Sequence, residues 1–132
     1  CYANEKHWLE RLQPTGIVPT LLCTDDQQQT LVTEYVGTPV TRETLPHDWE
    51  TQRDRLLLAL RGANCRHNDI KPREILVQDG VFRLVDFGWA SCLDQPIPDH
   101  YPESLGCKWR CPDGLDDAYS FNQSIHSVLS GN

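Results

Sequence analysis

The stretch from residue 67 to residue 88 constrains the fold more than any other part of this 132-residue chain, because it encloses a short hairpin between two polar loops. Apolar and β-branched residues at 75–77 and 81–85 predict two strands. Asp79-Gly80 between them supplies the positive φ angles of a tight turn. The loops before and after the hairpin are therefore expected to lie next to each other.

These two loops carry side chains suited to handling a phosphoryl group. Asp69 and Lys71 precede the hairpin, and Asp86 follows it. One carboxylate can accept the hydrogen of a substrate hydroxyl, a lysine can offset charge on the transferring oxygens, and a second carboxylate can bind Mg²⁺. We expect Asp69 and Lys71 to be catalytic. We also expect Asp69 and Asp86 to converge on a pocket that holds a triphosphate and its counter-ion.

Composition and charge exclude several classes of protein. A hydrophobic content of 39% and a charged content of 23% are ordinary for a soluble globular domain. The net charge of −7 argues against a nucleic-acid partner, which needs a basic face. No apolar run approaches the roughly 18 residues of a membrane span. Six cysteines without a repeated C-x-x-C spacing predict reduced thiols rather than a disulfide framework or a zinc ribbon.

The rest of the chain is predicted to mix helices and strands in an α+β fold. Apolar residues at three- and four-residue steps predict amphipathic helices, and β-branched and aromatic runs predict strands. Stretches with prolines and no periodicity predict connectors. The predicted elements are helices at 3–13, 49–61 and 116–130, strands at 17–23, 30–36, 75–77 and 81–85, and connectors at 37–48 and 89–112.

The motif residues resemble the protein kinase-like superfamily. His67-x-Asp69-x-Lys71-Pro72 resembles its catalytic loop, and Asp86-Phe87-Gly88 resembles its metal-binding motif. The resemblance extends from helix C to helix F of that family and implies one partial kinase-like domain over 1–132. It identifies 1–36 as a remnant of the N-lobe sheet, 34–38 as the region of the hinge, and 39–132 as the helical C-lobe through helix F.

The same resemblance implies a nucleotide site built from the first third of the chain. Glu5 matches the helix C glutamate that pairs with an ATP-binding lysine. Thr33 matches the gatekeeper of the adenine pocket. The backbones of Glu34 and Val36 are expected to meet the adenine edge, and Leu76 is expected to form the pocket floor.

The resemblance also implies a metal site and its structural support. Asp86 is expected to bind Mg²⁺ or Mn²⁺ together with Glu74, which stands where the family has an asparagine. Four further residues are expected to support the site: His67 behind the metal-binding turn, Phe87 packed under the loop, Gly88 where the chain turns, and Asp117 as a brace for the catalytic loop.

The function implied is ATP-dependent transfer of a γ-phosphoryl group to a hydroxyl, with ATP and Mg²⁺ or Mn²⁺ as cofactors. The pair Lys71-Pro72 favours a protein serine or threonine as acceptor, whereas Trp89 and the short activation segment leave a sugar or lipopolysaccharide hydroxyl open, as in bacterial glycan kinases. A pseudokinase, or a nucleotide- or partner-binding module without turnover, is the alternative from another class. It is motivated by Glu74 and by the lack of a glycine-rich loop or strand-borne lysine before Glu5.

Two further expectations concern the context of the chain. The sequence contains no methionine, and this together with the missing glycine-rich loop predicts additional terminal segments or a companion chain. The use of ATP and the lack of an export signal predict a cytoplasmic location.

Overall fold

A computed structural model describes residues 2–131 and has the mixed α+β architecture predicted from the sequence. The helices in this range are α1 (Tyr2–Leu12), α2 (Trp49–Gly62) and α3 (Asp117–Leu129). The strands are β1 (Leu21–Asp25), β2 (Thr30–Thr33), β3 (Thr38–Pro39), β4 (Cys65–Arg66), β5 (Ile75–Gln78), β6 (Val81–Leu84) and β7 (Ser91–Cys92). Short 3₁₀ turns occupy Gln13–Thr15, Pro72–Glu74 and Cys107–Trp109.

All strand pairings in the described residues are antiparallel, and they form three small sheets. β1 pairs with β2, β5 lies between β3 and β6, and β4 pairs with β7. The hairpin β5–β6 closes through Asp79 and Gly80, whose φ angles are 53° and 75°. The tight turn predicted from Asp79-Gly80 is confirmed.

The helices pack their apolar sides around this hairpin, as their periodicity predicts. The apolar residues buried along the helices include Trp8, Leu9, Leu12, Leu56, Leu60, Phe121, Ile125 and Val128. Phe82 of β6 meets Phe121 of α3 edge to face, with ring centroids 5.6 Å apart. α3 begins where the Asp116 carboxylate accepts a hydrogen bond from the backbone N–H of Tyr119. The packing of the helices against the hairpin β5–β6 thus fixes the position of its open end, where the chain enters β5 and leaves β6.

The strands predicted in the first third of the chain are shorter in the structure. The predicted strand 17–23 begins only at Leu21. Ile17 is buried, and its carbonyl accepts the N–H of Leu84 outside the pairing of β1 with β2. The predicted strand 30–36 ends at Thr33. The two predicted connectors each contain a two-residue strand, β3 and β7, which exists through pairing with a distant partner.

None of the helices between residues 2 and 131 combines the length and the apolar character that crossing a bilayer requires.

Candidate active site

Three carboxylates meet at the open end of the hairpin β5–β6. Ile75 pairs with Leu84, and the N–H of Val85 donates to the carbonyl of Glu74 at 3.1 Å, so the chain segments flanking the hairpin stay side by side. Asp69, Glu74 and Asp86 each place one carboxylate oxygen within 4.8 Å of the others. The predicted convergence of Asp69 with Asp86 is present in the structure, and Glu74 completes the cluster.

This carboxylate cluster, Asp69, Glu74 and Asp86, is suited to a divalent cation. Asp69 and Glu74 are buried, whereas Asp86 is exposed. Burial and the nearby Asp86 raise the pKa of Glu74 to about 7, while Lys71 opposes this rise. Mg²⁺ and Mn²⁺ prefer hard oxygen ligands and would offset the repulsion among these three groups. The donor set therefore fits the predicted metal.

Lys71 lies beside the predicted catalytic acid. Its Nζ is 3.5 Å from Oδ2 of Asp69, and both side chains are almost entirely buried. A carboxylate and an ammonium group at this distance place an acceptor for a hydroxyl proton next to a positive charge. A reacting phosphoryl group would meet both.

His67 fixes the backbone of both loops from behind. Its ring is fully buried; Nδ1 accepts the N–H of Asp69 at 3.1 Å, and Nε2 lies 2.9 Å from the carbonyl of Val85. Because a carbonyl only accepts, Nε2 must carry the hydrogen, which defines the tautomer. His67 thereby connects the residue before Asp86 to Asp69 itself.

Asp117, the first residue of α3, holds the loop that carries Asp69. Its carboxylate accepts the backbone N–H of His67 at 2.7 Å and that of Asn68 at 3.0 Å. Burial raises the pKa of Asp117, and the two N–H donors act in the opposite direction by stabilising the carboxylate. These hydrogen bonds are those expected of the brace.

In the turn at residues 86–88, the left-handed backbone conformation lies at Asp86 and not at Gly88, where the chain was expected to turn. Asp86 itself has a φ of 66°, in the left-handed region, whereas Gly88 is outside that region. Non-glycine residues rarely adopt such angles, and they concentrate at functional sites. Phe87 is fully buried and packs edge to face on His67, with centroids 4.6 Å apart.

Asn4 is a supporting residue whose contacts the sequence did not predict. From α1, its Nδ2 donates to the carbonyls of Gly88 at 3.0 Å and Ala90 at 2.8 Å, with Phe87 at 3.5 Å. A polar residue on the side of an amphipathic helix gives no signal of such contacts, because a solvated side chain has the same pattern. α1 therefore holds the segment that follows Asp86.

Asn68 connects the two loops on the other side. It is buried with a φ of 76°, and its Nδ2 donates to the carbonyl of Trp89 at 2.8 Å and to Oγ of Ser91 at 2.9 Å. Asparagine tolerates the left-handed region better than most residues. Asn68 therefore allows the left-handed turn of the catalytic loop and links this loop to the segment 89–91.

The predicted nucleotide residues are only partly brought together. Glu5 and Thr33 line a cavity of about 190 Å³ that also reaches Asp86. Burial and the charge of Asp86 raise the pKa of Glu5, and its carboxylate accepts the N–H of Phe87 at 3.3 Å. No cation lies within ion-pair distance of Glu5 in residues 2–131.

Glu34, Val36 and Leu76 are not among the residues that line this cavity. The N–H of Glu34 already donates to the carbonyl of Thr20, and its carboxylate accepts the N–H of the same residue. Val36 is buried, and Leu76 lies within the sheet opposite Pro39. In this conformation these three residues take part in hydrogen bonding, core packing and strand pairing, and they do not line the cavity.

Comparison with known proteins gives a consistent set of relatives, although no family model matches the chain. Over 65 residues it is 37% identical to the human "Cyclin-dependent kinase-like 4", and over 68 residues it is 35% identical to a "Probable cell division protein kinase" of Encephalitozoon cuniculi. Over 72 residues it is 33% identical to the "Wee1-like protein kinase" of rice. About half of the chain is thus similar to protein kinases, which supports membership of the protein kinase-like superfamily. These three matches cover 47–49% of this kinase-like chain and 14–26% of the relatives' own lengths.

Proposed function

We propose that this kinase-like chain carries the catalytic loop and the metal-binding turn of an ATP-dependent phosphotransferase that acts on a hydroxyl, with a protein serine or threonine as acceptor. The observation that carries this proposal is the meeting of the carboxylate cluster with Lys71 at the open end of one hairpin. The relatives are named as protein kinases, which supports a protein acceptor. We also propose a cytoplasmic location, because ATP and Mg²⁺ are abundant there.

The residues divide the work of phosphoryl transfer, which demands positioning and charge stabilisation more than covalent chemistry. Asp69 accepts the hydrogen of the acceptor hydroxyl and orients its oxygen. Lys71 offsets negative charge on the transferring oxygens. Asp86 and Glu74 would hold Mg²⁺ or Mn²⁺, which would supply positive charge to offset that of the nucleotide phosphates. The backbone N–H of His67 donates to the carboxylate of Asp117, the ring of His67 accepts the N–H of Asp69, and both bonds keep the loop in place.

We further propose that residues 1–36 correspond to part of the N-lobe, 34–38 to the hinge region and 39–132 to the C-lobe. α1 and the hairpin β1–β2 support the first of these, because Tyr2 and Lys6 of α1 both contact Asp26, at 2.6 Å and 3.0 Å. In this arrangement Glu5 and Thr33 face the nucleotide, and Glu34, Val36 and Leu76 contact the adenine after a local rearrangement.

Metal-dependent consumption of ATP tests the proposed reaction. Asp69→Asn should lower turnover at least about a hundredfold, the usual contribution of a positioned general base. Asp79→Asn is the matched control, because Asp79 is exposed at the far end of the same hairpin. Turnover by Asp69→Asn that equals turnover by Asp79→Asn would exclude phosphotransfer through Asp69.

One observation favours a second function, a pseudokinase-like module that binds a nucleotide or partner without turnover. Within residues 2–131 no cation lies within ion-pair distance of Glu5, so the described residues place no lysine there to hold the nucleotide phosphates in line for transfer. Calorimetry with ATP and Mg²⁺ separates the two functions. Binding without ATP consumption by the wild-type protein would assign the non-catalytic role.

A further inference from the structure

A second cavity, which none of the three clustered carboxylates lines, lies beside the catalytic loop. It has a volume of about 380 Å³ and is formed where the 3₁₀ turn before β5 approaches the 3₁₀ turn Cys107–Trp109. Its lining residues are Lys71, Pro72, Arg73, Cys107, Lys108 and Trp109. Three of the six are cations and none is an acid, in a chain with 19 acidic and 12 basic residues.

The three cations of this basic cavity are not all neutralised by the protein. Lys71 lies 3.5 Å from Asp69, and Arg73 places Nε 3.5 Å from Glu74 while its side chain stays 73% exposed. Lys108 forms no ion pair with any residue in the range 2–131. Its Nζ lies over the ring of Trp109, 5.0 Å from the centroid. Lys108 is therefore available to a ligand, and so is the exposed part of the Arg73 guanidinium beyond its contact with Glu74.

The remaining walls are apolar and fixed. The indole Nε1 of Trp109 donates to Oγ of Ser127 on α3 at 3.0 Å, which holds the ring in place. The guanidinium of Arg110 donates to the carbonyls of Glu103 and Leu105, at 2.9 Å and 3.3 Å, and so stabilises the turn that carries Lys108. Pro72 forms the opposite wall. A rigid apolar surface next to exposed cations suits a short segment of peptide that carries an anionic side chain.

Lys71 connects this basic cavity to the reaction site, because it lines the cavity and also contacts Asp69. We propose that the acceptor is a peptide in which an anionic group, either a carboxylate or a phosphate, lies next to the reacting hydroxyl and is bound by Arg73 and Lys108. This inference rests on the proposed function and names the substrate class for it. Charge complementarity selects the occupant, since neither a neutral nor a basic segment would offset these cations.

Binding of three matched peptides to the 132-residue chain tests the proposal without requiring turnover. All three carry one serine; its neighbours are aspartate and glutamate in the first, phosphoserine in the second, and asparagine and glutamine in the third. At low salt, fluorescence anisotropy should show the acidic or the phosphorylated peptide binding at least about tenfold more tightly than the neutral one. The preference should weaken at high salt. Which anionic peptide binds more tightly identifies the source of the anion.

Variants assign this preference to the basic cavity. Arg73→Gln combined with Lys108→Met should reduce the preference to less than about threefold and leave affinity for the neutral peptide unchanged. Both side chains are exposed, so the variant is expected to fold. Arg42→Gln, which removes an exposed cation lining a different cavity, is the control and should keep the preference.

Three results would overturn the proposal. These are equal affinity for acidic and neutral peptides, an unchanged preference in the double variant, and full competition by glucose 6-phosphate at the affinity of the anionic peptides, which would indicate a carbohydrate acceptor. Failure of the proposed reaction is distinguishable from these results. A chain that consumes no ATP but keeps the Arg73- and Lys108-dependent preference would disprove phosphotransfer and retain the peptide site.

Discussion

At the scale of single residues, the main feature of the site is that charged carboxylates are buried. Asp69 and Glu74 are 5% and 6% exposed, yet both are carboxylates within one cluster. Removing a carboxylate from water is unfavourable unless a cation or hydrogen-bond donors compensate. Lys71 compensates Asp69, whereas the raised pKa of Glu74, about 7, indicates incomplete compensation. The free protein should therefore become less stable when Glu74 ionises.

This predicts a pH-dependent stability difference for Glu74→Gln without metal. In the unfolded chain the carboxyl ionises near pH 4.5, but in the folded protein it keeps its proton until about pH 7. Stability of the wild type therefore falls as the pH rises through this window and stays low above it. Glu74→Gln should match the wild type at pH 4 and exceed it by roughly 3 kcal/mol at pH 8, as measured by urea unfolding.

The matched control for this prediction is Glu103→Gln, which makes the same change at an exposed glutamate. It should leave the pH dependence of unfolding unaltered. A Glu74→Gln difference of the same size at pH 4 and pH 8 would contradict the assigned ionisation. Addition of Mg²⁺ should stabilise the wild type and not Glu74→Gln, because the cation favours the ionised carboxyl.

At the scale of elements, α1 controls the segment that follows Asp86. Asn4 is the contact point, and its amide reaches carbonyls more than 80 residues away in sequence. We expect Asn4→Ala to free this segment while leaving α1 intact, because alanine is a better helix former than asparagine. Amide hydrogen exchange at residues 87–91 should become faster, with a loss of global stability of about 1 kcal/mol.

Glu10→Ala is the control for Asn4→Ala, since Glu10 is exposed on the same helix. Its exchange pattern at residues 87–91 should equal that of the wild type. If Asn4→Ala also leaves that pattern unchanged, the amide contacts do not restrain the segment.

A second prediction at this scale concerns the connection between β2 and β3. Gly37 has a φ of 111°, and a Cβ there would lie 1.9 Å from the backbone oxygen of Val77 in β5. Gly37→Ala should therefore lower the free energy of unfolding by more than about 3 kcal/mol, or prevent folding, because the obstacle is backbone.

Gly16→Ala separates steric contact from backbone strain. Gly16 also has a positive φ, 74°, but a Cβ there would meet no atom within 4 Å. Gly16→Ala should lower the free energy of unfolding by about 1 kcal/mol, because alanine is strained only by the left-handed conformation. Equal losses for the two variants in urea unfolding would mean that Gly37 does not pack against β5 as described.

The elements differ in how far their sequence predicts them. α2 and α3 and the hairpin β5–β6 were predicted within one or two residues, because their periodicity and turn residues are local. The short strands β3, β4 and β7 were not predicted, since each consists of two residues paired with a distant segment. Contacts of Asn4 were missed for the same reason, because they depend on tertiary structure.

At the scale of the whole molecule, charge is separated into two neighbouring regions. The carboxylate cluster holds three acids, the basic cavity holds three cations, and Lys71 lies between them. The sequence predicted the convergence of Asp69 with Asp86 because a hairpin joins their loops. It could not predict the basic cavity, because Lys108 lies in the predicted connector 89–112, 35 residues from Arg73, and only tertiary structure brings the two together.

Titration of Mn²⁺ followed by electron paramagnetic resonance tests most directly whether the three carboxylates form a cation site. Wild-type protein and Asp79→Asn should bind one or two Mn²⁺ ions with the same affinity. Asp86→Asn should weaken that binding at least about tenfold, since it removes a charged oxygen ligand from the cluster. Identical Mn²⁺ affinity in Asp86→Asn and Asp79→Asn, or no bound ion in the wild type, would contradict the metal-dependent mechanism.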